Sequence, residues 1–335
     1  MAQNKDVIEP TMDEQSGTIK EEKQISKGIK VMTTKEFKHQ WKQQWVLIII
    51  AAFYVIYGVL FYYVPLVGWI MGFQNYKAKD GIFGSDFVGL AKFKFLFEDK
   101  VFLEVIRNTF AMGLLNLIFS FVLAIAFAIL LNEIRTKYFK KAIQTISYMP
   151  HFLSWIIVTG ILHDALSLNG VVNELLVALH ILKEPISFFS IPALFWPIVT
   201  FANVWKKTGW NAIIYLAAIT AIDPSYYEAA SIDGAGRWAK IKYITLPSIK
   251  PTIIILLLMN IGNILNAGFE VQYLLENGLI QRVSRTIDVY VLKWGIGQND
   301  FSLGTAAGIF KSVVSIVLIV IFNQIAKKTG EERLY

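Results

Sequence analysis

Three asparagines recur at a spacing of three inside an apolar run: Asn260, Asn263 and Asn266, with Gly262 and Gly268 beside them. Amide side chains in such surroundings are costly. They mark either the wall of a hydrated cavity or hydrogen bonds between helices, the latter worth under about 2 kcal/mol each; the sequence leaves both readings open. Tyr148, His151, Ser154 and Trp155 follow helical spacing around Pro150. Aromatic faces beside a hydroxyl suit a sugar ring, and a packing face explains the same residues. These two groups, Asn260, Asn263 and Asn266 with Tyr148, Ser154 and Trp155, are the candidate substrate path. Lys206, Lys207 and Lys311 set cations in apolar runs. Each either attracts an anionic substrate or snorkels to lipid headgroups. Lys206 and Lys207 fall some fifteen residues, about 24 Å of helix, from the inner end of their run, near the expected outer face, which favours snorkelling.

Other chemistry is missing. No G-x-x-x-x-G-K-[ST] loop occurs, and no Gly is followed by Lys anywhere, so the chain is not a P-loop ATPase. His39, His151, His163 and His180 show no H-E-x-x-H or other metal spacing. There is no G-x-S-x-G elbow. With no Cys, disulfides and thiolate metal sites are excluded. The expectation is a chain that is not an enzyme, with no catalytic residues, metal or bound cofactor.

The elements that hold these residues are membrane spans. The chain is 55% hydrophobic and 17% charged over 335 residues, against about a quarter charged in soluble domains. The apolar excess falls in separate long runs, which defines an all-α polytopic membrane protein. About forty mixed-charge residues precede the first run, so the N-terminus does not read as a signal peptide. The spans are expected near residues 46–66, 109–131, 142–163 (kinked at Pro150), 209–222 (after an entry segment from Phe188), 251–269 and 303–326. Residues 1–45 read as a cytoplasmic arm with an interfacial helix at 35–45, residues 46–328 as the transmembrane domain, and 329–335 as a cytoplasmic tail. Arg135, Lys137, Lys140 and Lys141 follow the second span, and Lys327 and Lys328 the sixth. Positive charge gathers inside, so both termini are expected in the cytoplasm. The same rule accounts for the net charge of +7 without nucleic acid.

Between the last two apolar runs but one lies a polar stretch, Glu228 to Pro247, reading EAASIDGAGRWAKIKYITLP. Asp223 is a good N-cap and Pro224 suits the first helical position. Ala229 and Ala230 favour a helix with a smooth face. Asp233-Gly234-Ala235-Gly236 supplies a turn, since Gly tolerates positive φ. A second short helix over Arg237 to Tyr243 is expected to stop at Leu246-Pro247, with Pro251 starting the next span.

The spacing E-A-A, three residues, G, nine residues, I-x-L-P resembles the Glu-Ala-Ala motif of the membrane subunits of binding-protein-dependent ABC importers. Further segments resemble their carbohydrate branch, in particular the polysaccharide and complex-oligosaccharide permeases: RNTF at Arg107, LLNEIR at Leu130, QTISYMPHFLSW at Gln144, GWNAIIYLAAITAIDPSYYEAASIDGAGR at Gly209, GFEVQYLLENG at Gly268, TIDVYVLKWGI at Thr286 and AAGIFKSV at Ala306. The resemblance covers nearly everything after about residue 50. It implies six transmembrane helices of the type I ABC importer permease fold in a bacterial cell membrane. It also implies a second similar permease, two ABC ATPases that use ATP and Mg, a solute-binding protein outside, and an oligosaccharide substrate. By the same resemblance, coupling helices at 223–247 dock on the ATPase. Glu228, Ala229, Ala230, Asp233 and Gly234 form the inserting turn, and Ile244, Leu246 and Pro247 fix it to the fifth span. The alternatives are a non-sugar substrate for the same machine, or a secondary transporter driven by an ion gradient. The latter is expected to carry acidic residues within spans, and none lies securely in one.

Overall fold

The computed structural model describes residues 44–328. The expected arm and nearly all of the interfacial helix, and the tail 329–335, lie outside the described residues. Two compact units divide after Val67.

In the first unit, α1 (Trp45–Gly58) is apolar all round, and none of its residues is buried. That is the character of a helix whose surroundings are themselves apolar. It runs on through a π turn, Val59–Tyr63, into a 3-10 stretch, Val64–Phe73.

The second unit begins at Gly68 within that stretch and continues with a two-stranded antiparallel ribbon, β1 (Gln74–Asn75) with β2 (Asp86–Phe87), and α2 (Ala91–Glu98). Helix α3 (Lys100–Glu133) then runs 34 residues from an N-cap at Asp99, whose carboxylate accepts the Val101 N–H at 2.9 Å. The expected second span lies within it. The expected third span is not merely kinked. Helix α4 (Lys137–Tyr148) ends in a 3-10 turn, Met149–Phe152, and α5 (Trp155–Ala165) restarts after a bend of 101°. Leu153 and Ser154 are extended, so helical hydrogen bonding stops and starts afresh.

After α6 (Val171–Ala178) comes α7 (Pro192–Thr220), 29 residues long. This corrects the expected start near Gly209. Pro192 occupies the first turn, where a missing N–H costs nothing, and Pro197 is taken up inside a helix that continues. The expected stop at Leu246-Pro247 is corrected too. After α8 (Pro224–Ile232), α9 (Arg237–Lys240) passes through a π turn, Ile241–Thr245, into α10 (Leu246–Gly262), one candidate span of 26 residues. The widened turn gives the Pro247 ring room beside the carbonyl it would otherwise strike. At its far end α10 stops at Gly262, short of the expected 269. Helix α11 (Glu270–Leu275) and short helical turns lead to α12 (Phe301–Lys328).

Among the described residues, four helical stretches are long and apolar enough to cross a membrane, Trp45–Phe73, Lys100–Glu133, Arg237–Gly262 and Phe301–Lys328, and the bent pair α4–α5 makes a fifth if counted as one. Helix α7 matches them in length but carries Asn203, Lys206, Lys207 and Asn211 along its middle. It packs against α3 through small residues: Ala124, Ala128 and Ala212 share a buried cluster with Leu131, Tyr215 and Ile219. Small side chains let helices approach closely where lipid removes the hydrophobic drive. Gly209 shows the same need against α4, since a Cβ there would lie 2.1 Å from the Ser147 carbonyl oxygen.

Candidate functional site

The polar stretch folds as a closed unit. The Asp223 carboxylate accepts the Ser225 N–H at 2.9 Å, which holds its pKa below the ordinary value. Helix α8 ends in a Schellman cap: Ala235 N–H reaches Ala230 O at 2.8 Å and Gly234 N–H reaches Ser231 O at 3.2 Å, with Gly234 at φ +77°. The turn chemistry read from the sequence is thus present at Gly234. Ser231 Oγ donates to Tyr227 O at 2.6 Å and accepts from Lys240 Nζ, which ties α9 back onto α8.

Glu228, Ala229, Asp233 and Gly234 are exposed and Ala230 is half-buried. Of the run 244–247, Ile244 is half-buried and Leu246 and Pro247 are exposed, while the buried residue is Thr245. Its hydroxyl lies 2.9 Å from Tyr227 Oη. Arg237 sits 4.0 Å from Glu133 at the end of α3. Tyr227, Thr245 and Glu133 are therefore anchors that the motif does not single out; a hydroxyl pair 18 residues apart leaves no local signal. The exposed side also carries bare apolar groups, with Ile232 87% and Trp238 83% exposed.

The second site is a cavity of about 330 Å³ between α3, α7 and the end of α10, at the small end of ligand pockets. Asn260, Asn263 and Asn266 all line it, though not as one helical wall. Asn260 is in α10, Asn263 caps it and Asn266 follows the cap. Asn260 and Asn263 each donate to the carbonyl four residues back, at 2.7 and 3.1 Å, and Asn266 donates to Asn263 Oδ1 at 3.0 Å. Across from them stand Asn203, Lys207 and Asn211, spaced by four on one face of α7, and Asn116 and Ser120 on α3. The sequence reading missed Asn116, Asn203 and Asn211. The period of four along α7 was its one available trace.

Tyr148, Ser154 and Trp155 do not line this cavity; they lie at the break between α4 and α5. Tyr148 is half-buried at the end of α4. Ser154 Oγ caps α5 by accepting the Ile157 N–H at 3.3 Å. Trp155 packs on a buried cluster that includes Phe195 and Val199. His151 stacks on Trp210 of α7 at 4.3 Å.

Lys206 serves that break. Its buried ammonium donates to the carbonyls of Pro150 (3.3 Å), His151 (2.7 Å) and Leu153, and lies 5.5 Å from the centre of the Trp155 ring. A broken helix leaves carbonyls without partners, and Lys206 supplies the donors. It does not snorkel. Lys311 does not either, since its ammonium meets Asp288 Oδ1 at 2.6 Å. The expectation placed Lys206 and Lys207 at the end of a short span; with α7 starting at Pro192 they stand at its middle.

A bundle of long apolar helices with a cap-closed polar loop and a polar cavity among its spans, lacking a P-loop of its own, defines the membrane part of a transporter. The family model for the binding-protein-dependent transport system inner membrane component matches residues 120–330, and the chain belongs to that family. It is 44% identical to the polygalacturonan/rhamnogalacturonan transport system permease protein YteP of Bacillus subtilis, over 84% of this chain and 87% of the relative. It is 42% identical to Protein LplB of the same organism, over 84% and 88%. A crystal structure of a bacterial alginate ABC transporter, in complex with an alginate pentasaccharide-bound periplasmic protein, superposes with a TM-score of 0.81 at 35% identity, covering 88% of this chain and 99% of that one. The protein is thus a multi-pass membrane permease of type I ABC importer fold, a transport component without bond chemistry of its own.

Proposed function

We propose that this chain is the permease subunit of an ATP-driven importer of oligosaccharides or polysaccharide fragments. A second, similar permease and two ABC ATPases complete the membrane complex, and an extracytoplasmic binding protein delivers the sugar. Both termini face the cytoplasm, residues 1–45 form a cytoplasmic arm, and residues 46–328 the transmembrane domain. ATP and Mg are held by the ATPases.

The observation that carries this reading is the loop from Pro224 to Thr245. It is closed by its own cap and hydrogen bonds, tied to two spans, and exposes Ile232 and Trp238. Glu228, Ala229, Ala230, Asp233 and Gly234 present the turn to the ATPase. Ile244, Leu246 and Pro247 carry its displacement into α10, because helix runs from Arg237 to Gly262 without a break. ATP-driven closure of the ATPases draws two such loops together, tilts the spans and opens the cavity outward; hydrolysis reverses the change. The subunit works by contacts that differ between two states. The saccharide class is supported by what the relatives transport, polygalacturonan or rhamnogalacturonan in one and alginate in another by their descriptions.

Affinity purification of the tagged chain in mild detergent tests the assembly. A second permease and an ATPase co-purify if the reading holds. Recovery of the chain alone, under conditions that keep other ABC complexes whole, would reopen the ion-driven alternative.

A further inference from the structure

Two adjacent lysines of α7 meet opposite fates. Lys206 is buried and spends its ammonium on backbone carbonyls. Lys207, about 100° further round the helix, faces the asparagine-lined cavity and makes no hydrogen bond or ion pair among the described residues. It stands about 22 Å from the start of α7 and about 20 Å from its end, farther than a lysine side chain reaches, so snorkelling does not account for it. A cation among spans is retained where it meets an anion or lines an ion or substrate path. The cavity walls hold no Asp or Glu, so the anion does not come from the walls.

The remaining lining fits a polyhydroxylated ligand. Asn116, Asn203, Asn211, Asn260 and Asn263 present amides from three directions. Asn116 Oδ1 is buried there without a hydrogen-bond donor, and an acceptor left so is expensive unless a ligand or water supplies the proton. Amides alone serve a neutral sugar, whose hydroxyls both donate and accept. Lys207 is exposed to the cavity, so a neutral sugar seated there would displace water from its ammonium and give no charge in exchange. The ammonium matches one carboxylate on a ring whose hydroxyls meet the amides.

We propose that this cavity receives an acidic oligosaccharide, a uronate chain, and that Lys207 is the counter-ion of its carboxylate and selects charged over neutral sugars. This rests on the saccharide-importer reading above. The test uses the complete transporter with its ATPases and binding protein in proteoliposomes. It measures ATP-driven uptake of trigalacturonate and of its fully methyl-esterified, neutral form, with maltotriose as a second neutral sugar. The quantity read is the ratio of acidic to neutral uptake in each variant relative to wild type, so that the preference of the binding protein cancels. Lys207→Gln lowers that ratio about tenfold or more, and Lys207→Arg keeps it within about threefold. A ratio unchanged in Lys207→Gln, or wild-type uptake confined to neutral sugars, overturns the role of Lys207 and leaves the importer reading standing. Wild-type complex that carries none of these sugars overturns the importer reading itself, and the inference with it.

Discussion

Substituting Gly234 isolates the backbone of the exposed loop from its contacts. At φ +77° a left-handed conformation costs an L-residue about 1–2 kcal/mol. A Cβ at this position meets nothing within 4 Å, so that backbone term is the whole penalty. Opposing it are the two hydrogen bonds of the cap, Ala235 to Ala230 and Gly234 to Ser231, each worth a net 0.5–1.5 kcal/mol or about 1–3 together. The terms nearly balance. Asn, which visits this region readily, leaves the cap closed. Ala strains it, and β-branched Val, for which the region is a genuine outlier, tips the loop open. One to two kcal/mol shifts the closed fraction about 5- to 30-fold. With the complete transporter in proteoliposomes, sugar moved per ATP hydrolysed falls in the order wild type, Gly234→Asn, Gly234→Ala, Gly234→Val, while membrane-inserted chain stays constant. Full uptake in Gly234→Val would refute the argument, as would equal losses in the Asn and Val variants, because the reasoning needs the loss to follow the left-handed penalty.

Lys206→Met removes the donors from three carbonyls at the break and leaves at least one acceptor unsatisfied, at about 1–3 kcal/mol each; the melting temperature of the detergent-solubilised complex falls by several degrees, whereas Lys207→Met, with no partner lost, leaves it within a degree. Gly209→Leu drives a side chain into the Ser147 carbonyl and costs about 1–3 kcal/mol of overpacking as α7 is forced off α4, visible as lower yield and lower thermal stability. Asp223→Ala removes the acceptor of the Ser225 N–H and frays the first turn of α8. Because hydrogen bonding lowers the folded pKa of Asp223, the cap's contribution is complete above the ordinary aspartate value, about 4, and is lost as pH falls through the lower folded value. The protection of the Ser225–Tyr227 amides in wild type relative to Asp223→Ala is therefore flat from pH 5 to 8 and disappears only in stronger acid, as hydrogen exchange would record.

Local chemistry was legible in the sequence because its partners lie within a few residues. Asp223 accepts from a residue two positions on, and the cap at Gly234 closes over six residues; N-cap and turn chemistry name such residues directly. The apolar runs announced most of the spans, since their length reports the thickness of the bilayer. What the sequence left open is which side of each helix faces which neighbour. In soluble helices an apolar stripe answers that question, but a span bathed in lipid is apolar all round, so beyond the period of four that joins Asn203 to Lys207 nothing in the sequence linked them to Asn116 in one cavity. The prolines misled for a related reason. Pro150 ends a helix while Pro197, Pro247 and Pro251 lie inside helices that continue, because lost backbone bonds are made good by neighbouring groups or absorbed in a π turn, and those groups are distant in the chain. The sequence by itself determined the composition of the spans, the caps of the exposed loop and its motif. Only tertiary structure decided that Lys206 belongs to the broken helix and Lys207 to the cavity, because a rotation of one residue about α7 sends two identical side chains to different surroundings.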